Sequence, residues 1–363
     1  MASGPLCTTV PRARRGACRR AGAEALQRGW LERLAWGPEP DASRQVQLWL
    51  GIFPVHWRQV PDPVLLWRQT RTIARHRQGR YGDLLQAMVL DPALQASLDG
   101  PANHERRPNE NLARELLELF SVGEGQFSET DVREAARALS GYRLDDGLNL
   151  VLMPRRHDHG TKTILGRSHS FDGASLAVWL AEQPATARHI SGRLWRQLVG
   201  SAPPPARLEA LAEGWQRQRL SIPWLLAAIG DTPEARASRS RGLRLADPLE
   251  VVARSLVLLG SRHPDGIGIC LRGLRAMGQS PFEPPSVKGW PVNEQWLHIP
   301  WLQARRRTLQ SLIADEEVWN SRQLPAQLPA TLTPIPPLSL PLPAAASRDT
   351  LGQLFADPVW QLA

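Results

Sequence analysis

Apolar residues recur at three- and four-residue spacing along most of this chain, the signature of helices that each bury one face. Over Arg44–Trp57 the residues Val46, Leu48, Trp49, Ile52 and Phe53 share a face, and Pro54 must end or bend the element. After Pro61-Asp62-Pro63 a long helix is predicted from about Val64 to His76, and another from Tyr81 to Leu90, stopped before Asp91-Pro92. Asn109–Phe120 carries a stripe of Leu112, Ala113, Leu116, Leu117 and Phe120. Ser128, with Asp131 three residues on, resembles a capping box that opens a helix ending near Gly141. Further helices are expected at about Ala174–Glu182, Ala185–Val199, Arg207–Arg217, Ile222–Ile229, Pro248–Leu259, Ile267–Met277 and Trp296–Ala314.

The pattern changes in two places. Leu144–Met153 and Thr161–Phe171 hold β-like stretches broken by Gly147, Gly160 and Gly166, which predicts a two-stranded ribbon or an ordered loop. From about Leu324 to Pro343 the chain reads as a Pro/Leu/Ala linker that favours extended polyproline backbone over packing, and Leu351–Leu362 suits a short docking helix. The expected fold is therefore all-α: a multi-helix globular domain over 41–315 with a small β-hairpin or ordered-loop insertion near 144–171. A basic, partly disordered segment precedes it over 1–40, and a Pro-rich linker with a short C-terminal tail follows over 316–363.

Charge changes this picture little. The net charge is +9, and five arginines with no acid fall within the first twenty residues: Arg12, Arg14, Arg15, Arg19 and Arg20. The remaining charges alternate in sign and carry no RNA-binding aromatic signature or zinc-finger spacing, so the basic segment reads as solvated and a nucleic-acid partner is not expected. Cys7, Cys18 and Cys270 are too few and too scattered to predict a disulfide framework or a zinc site, and Cys270 reads as a small core residue. There is no run of eighteen apolar residues, so no transmembrane segment is expected. No apolar run follows the N-terminal arginines, so a cytoplasmic location is expected for the chain as written, with export the alternative if translation starts elsewhere.

The candidate chemistry starts from a scarcity. Only two of the 44 basic residues are lysines, Lys162 and Lys288; all the others are arginine. Surface Lys and Arg exchange freely, whereas a site needing a compact ammonium does not accept the planar guanidinium fork. Both lysines fall in Gly-flanked, loop-like segments. In the first, His157-Asp158-His159-Gly160-Thr161-Lys162, an imidazole beside a carboxylate suits a general base and its orienting acid, and Lys162 supplies positive charge for a developing anion. Two histidines fall short of the three or more ligands a metal needs, so no metal site is assigned, and no cofactor is indicated. In the second, Gly278–Pro291, four prolines and two glycines predict a stiff loop that fixes Glu283 and Lys288. A third segment places Glu110, Arg114 and Glu118 at i, i+4 and i+8 along one side of the Asn109–Phe120 helix, as acid/base groups, as a carboxylate–guanidinium clamp, or as an exposed ion-pair ladder.

Together these segments resemble one bacterial family, the domain of unknown function 1800. The resemblance is carried by Asn109–Gly123 (NENLARELLELFSVG), His157–Gly166 (HDHGTKTILG) and Phe282–Trp290 (FEPPSVKGW), and extends through Pro61–Gly100 and Pro184–Val199, about residues 45 to 305 in all. It implies no established activity. It implies that many members are larger than this chain and exported, often with partner proteins of the alkaline-phosphatase and sulfatase group. His159 stands where the family pattern is open, whereas His157, Asp158, Lys162 and Lys288 stand on it. Two functions are then expected on nearly level terms. One is an acid–base enzyme, such as a hydrolase, in which Glu110, Arg114, Glu118, His157, Asp158, Lys162, Glu283 and Lys288 line one polar pocket. The other is a noncatalytic helical scaffold or interaction domain in which the same groups are structural ion pairs.

Overall fold

Each predicted amphipathic stripe becomes a helix because the stripe is the only way this backbone can bury apolar side chains with its own hydrogen bonds satisfied. The computed structural model describes residues 6–363, and among them are seventeen α-helices. In chain order these are α1 (Arg12–Trp36), α2 (Pro40–Ile52), α3 (Val64–His76), α4 (Tyr81–Val89), α5 (Pro92–Ser97), α6 (Asn111–Glu118) and α7 (Glu129–Ala138). After the insertion come α8 (Gly173–Ala181), α9 (Pro184–Val199), α10 (Pro205–Arg217), α11 (Ile222–Gly230), α12 (Pro233–Arg241), α13 (Pro248–Leu259) and α14 (Pro264–Ala276). The chain closes with α15 (Ile299–Ala314), α16 (Glu316–Asn320) and α17 (Arg348–Ala356). Seven of the helices α8–α17 start with Pro, or carry it at the second position, where its missing N–H costs nothing.

The expected capping box is present: Ser128 Oγ accepts from Asp131 N–H, and the Asp131 carboxylate accepts from Ser128 N–H at 2.8 Å. The expected β insertion consists of two antiparallel hairpins. Strand β1 (Tyr142–Leu144) pairs with β2 (Leu150–Leu152), and β3 (Lys162–Ile164) pairs with β4 (Arg167–His169).

Three expectations differ from the structure. The basic N-terminal segment, expected to be partly disordered, forms the 25-residue α1, and Leu26, Trp30, Leu31 and Leu34 on one face of it are buried in the core. The Arg-rich first turns hid that stripe, because they are exposed on all sides. Residues 1–5 of that segment lie outside the described residues. Cys7 and Cys18, for which no disulfide framework was expected, form a disulfide; the helix brings the second thiol back over the segment that precedes it. Asp62 holds that segment by accepting the Cys7 N–H at 2.5 Å, and Arg19 donates to the Val60 carbonyl at 2.7 Å. The Pro/Leu/Ala run, expected to be extended and unpacked, is extended but packed. Its strands β5 (Gln327–Leu328) and β6 (Ala344–Ala345) pair with each other, Leu328 is fully buried, and Leu332, Ile335, Leu340 and Leu342 lie against the core. Prolines remove donors but leave leucines free to pack, so a polyproline-like run can still clad a helical core.

The core is rich in indole. Trp49, Trp195, Trp215, Trp296 and Trp360 are all fully buried. Tyr81 stacks on Trp49 at 5.6 Å, and its hydroxyl donates to the Phe120 carbonyl at 2.7 Å, tying α4 to the end of α6.

Candidate functional site

The three motifs do not converge on one pocket. The His157–Lys162 segment is a structural clasp. His157 is buried and its Nδ1 donates to the Ser140 carbonyl at 2.9 Å. Gly141 carries φ +86°, and a Cβ there would stand 2.7 Å from His157 N, so only glycine lets the segment lie this close to the end of α7. Asp158 accepts Arg137 Nε at 2.7 Å and Nη2 at 3.2 Å, and this guanidinium holds its carboxyl below the usual range. Lys162 has a fully buried side chain whose Nζ donates to the Asp158 carbonyl, and to the Phe171 carbonyl at 2.9 Å, with Asp158 Oδ1 at 4.0 Å. Burial lowers its pKa, partly offset by Asp158. Thr163 N–H donates to Glu134 at 3.1 Å and Leu165 N–H to Asp131 at 2.7 Å, so the second hairpin is fastened to α7 by its own backbone.

Glu110 and Arg114 lie on the surface. Arg114 holds Glu129 of α7 in a two-toothed pair at 2.7 Å, with Glu110 at 3.3 Å. Glu283 accepts the Trp57 indole N–H at 2.5 Å, and Trp57 N–H donates to the Phe282 carbonyl at 3.0 Å, so this residue anchors the loop root. Nearby His56 is held below its ordinary pKa by burial, with Glu283 opposing.

Lys288 and Glu118 are different. They belong to two separate motifs and meet at 3.5 Å, and Lys288 lines a cavity of about 1080 Å³. Sequence reasoning missed Glu115, one residue off the chosen i, i+4 series. Burial and the neighbouring Glu118 push its pKa up, while Lys288 pulls it down.

The cavity is walled by α2, α9, α11, α12, α13 and the loop from Pro285 to Trp296. The loop is stiff because it is bonded at both ends. Gly289 (φ +92°) passes so close to α2 that a Cβ would stand 2.7 Å from the Gly51 carbonyl. Asn293 Nδ2 donates to the Gly200 carbonyl at 2.6 Å, and its Oδ1 accepts Leu245 N–H at 2.7 Å. Apolar surface comes from Leu34, Leu48, Leu198, Leu226, Ile229, Leu249, Ala253, Val257, Trp290 and Trp296. Seven cations line the same space (Arg44, Arg193, Arg196, Arg239, Arg244, Arg254 and Lys288) against two carboxylates, Asp247 and Glu250. Sequence reasoning missed all six arginines, because in an Arg-rich chain nothing marks the ones that face inward.

Three of these cations are matched. Arg44 pairs with Asp41, Lys288 with Glu118, and Arg244 with Glu250. Among the described residues Arg193, Arg196, Arg239 and Arg254 make no ion pair. Arg193 donates to the Leu119 carbonyl at 2.7 Å, and burial, helped by Arg196, lowers its pKa. Arg254 lies over the Trp360 ring at 4.5 Å and is pushed down to about 10, first by burial and then by Arg305 and Arg244, with Glu250 opposing.

Among the described residues no three His, Cys, Asp or Glu side chains are grouped to hold a metal ion, and no helix is long and apolar enough to cross a membrane. No curated protein and no solved structure matches the chain. One family model does match, and it runs over residues 7–359, beyond the 45–305 that the motifs alone delimit. The N-terminal helix and most of the Pro-rich run thus lie inside the match, and the chain belongs to the family described as protein of unknown function (DUF1800).

Proposed function

We propose that the chain is a ligand-binding domain whose cavity takes an anionic molecule with an apolar body. The observation that carries this reading is the set of four cavity arginines without a carboxylate partner, Arg193, Arg196, Arg239 and Arg254, in a space walled by leucine, isoleucine, valine and tryptophan. Guanidinium groups set against low-dielectric walls favour a charge-assisted bond to an oxyanion, while the walls gain from covering hydrocarbon. Calorimetric titration of octanoate and octanamide tests it, since the two share a body and differ in charge. Octanoate should bind at least ten-fold more tightly; equal binding, or binding of neither, contradicts the reading.

Acid–base hydrolysis is the second reading. Its specific support is the trio of Glu115, Glu118 and Lys288, of which Lys288 lines the cavity, where one carboxyl is biased toward its protonated form beside another that faces an ammonium. Turnover of generic ester, phosphate or sulfate substrates that Glu115→Gln abolishes would favour it. Absence of turnover leaves binding as the function. A partner protein of the phosphatase or sulfatase type belongs to the same class of proposal, and pull-down with the intact chain tests it.

A further inference from the structure

At the cavity wall formed by α13, with Arg305 buried behind it, lies a charge cluster that does not balance. Arg244 and Glu250 close a two-toothed pair at 2.9 and 2.8 Å, which occupies that carboxylate. Asp247 caps α13 by accepting Glu250 N–H at 2.8 Å. Two more guanidiniums remain, on α13 and α15. Arg254 uses Nη1 on the Leu362 carbonyl at 2.5 Å. Arg305, only 1% exposed, uses Nη1 on the Ala246 carbonyl at 3.0 Å and on Gln361 Oε1 at 3.1 Å. In both residues Nε and Nη2 are buried and have no hydrogen-bond partner.

Four buried guanidinium N–H-bearing nitrogens without acceptors, on two like charges of which Arg305 adds to the burial that depresses the protonation of Arg254, are expensive to maintain in a protein interior. Nε and Nη2 are also the edge of the guanidinium that matches the two oxygens of a carboxylate or the face of a phosphate. We infer that Arg254 and Arg305 form an anchor for a single oxyanion, a carboxylate or phosphate group, reached from the cavity on the Arg254 side. The inference rests on the cavity being the ligand site only in assigning that oxyanion as the head of the bound molecule. The anchor itself is a property of the two arginines. Segment 361–363 covers it: Ala246 N–H donates to the Gln361 carbonyl at 2.8 Å, Ala363 N–H donates to the Arg244 carbonyl at 2.9 Å, and Ala363 itself lines the cavity. An entering anion therefore takes the Nε and Nη2 edge of Arg254 while Nη1 stays on the Leu362 carbonyl.

Melting of the full chain is followed while inorganic phosphate, and separately acetate, replaces chloride at constant ionic strength. Wild type should gain several degrees with half-saturation in the millimolar range or below. Arg254→Met and Arg305→Met should each shift half-saturation at least ten-fold, whereas Arg14→Met, exposed on α1 and outside the cavity, should change it less than three-fold. Arg254→Lys keeps the charge, loses the fork, and should also weaken the response, which holds the test open if a methionine variant fails to fold. Absence of any phosphate or acetate effect on wild type overturns the anchor, as does an equal response in Arg254→Lys. Octanoate distinguishes the sources. Loss of octanoate binding in Arg254→Met, with octanamide unchanged, places the anchor at the head of the larger ligand. Octanoate binding that ignores Arg254 and depends on Arg193 overturns the assignment of the anchored oxyanion as the head of the larger ligand and leaves the cavity reading standing. A phosphate response without octanoate binding upholds the anchor and contradicts the cavity reading.

Discussion

Lys288 Nζ stands 3.5 Å from Glu118 Oε1, joining a loop between α14 and α15 to the last residue of α6 at the edge of the cavity. The lysine is 69% exposed and the glutamate 24%, so the pair is largely solvated and positions more than it stabilises. Lys288→Met should change stability by about 1 kcal/mol or less. Thermal melting checks this, and a loss several times larger would mean that the loop depends on the pair for its fold.

Lys162 predicts the opposite behaviour. Its buried ammonium satisfies two carbonyls and faces Asp158, so Lys162→Met strands two carbonyl acceptors and removes one of the two cations beside that carboxylate. A loss of about 3–5 kcal/mol is expected from removing one partner of a buried pair. Denaturant unfolding measures it. An unchanged midpoint, together with loss of a ligand or activity, would return the His157–Lys162 segment to the list of functional sites.

The outcomes for these two lysines show what was legible in the sequence. Their rarity marked both as places to inspect, and the structure puts them in different surroundings. Lys162 is buried in a clasp, and Lys288 sits solvated on a cavity wall. Helix positions such as Val64–His76 were legible because periodicity is local, as was the Ser128–Asp131 cap. The cavity was not, because its cations come from α2, α9, α12 and α13, which only the tertiary packing brings together. Glu115 escaped for a related reason: it lies off the Glu110–Arg114–Glu118 line, and its environment is set by burial and by Glu118, with Lys288, far away in the chain, opposing.

Asp91 gives a pH-dependent test. Its carboxylate caps α5 by accepting Ala93 and Leu94 N–H groups at 3.0 Å, and burial pushes its pKa from 3.8 up to about 7 against those bonds. The folded state therefore holds this proton where the unfolded chain has released it. Stability drawn from this residue is greatest below the unfolded value and is lost as pH rises toward 7. Asparagine caps equally well without ionising. Asp91→Asn should be near neutral at pH 4 and increasingly stabilising relative to wild type up to about pH 7, levelling off above it. A difference that stays flat with pH would show that the carboxyl titrates normally.

The Cys7–Cys18 disulfide closes a separation of 11 residues at the start of α1. Cys7→Ser with Cys18→Ser should cost about 2–4 kcal/mol by releasing that loop in the unfolded chain. Protection of the α1 amide hydrogens from exchange should fall near its N-terminus first, where the exposed turns lack core contacts. Unchanged exchange and stability in the double variant would show that Asp62 and Arg19 alone hold the segment.

The claim on which the rest depends is that the arginine-lined cavity is where a ligand sits. Crystals of the chain grown with 8-bromooctanoate locate the bound molecule through the anomalous signal of bromine. The account predicts bromine among Leu198, Leu226 and Val257, with the carboxylate turned toward the cavity arginines. Bromine at an outer apolar residue such as Ile299 or Leu338, with an empty cavity in the same crystal, would contradict it.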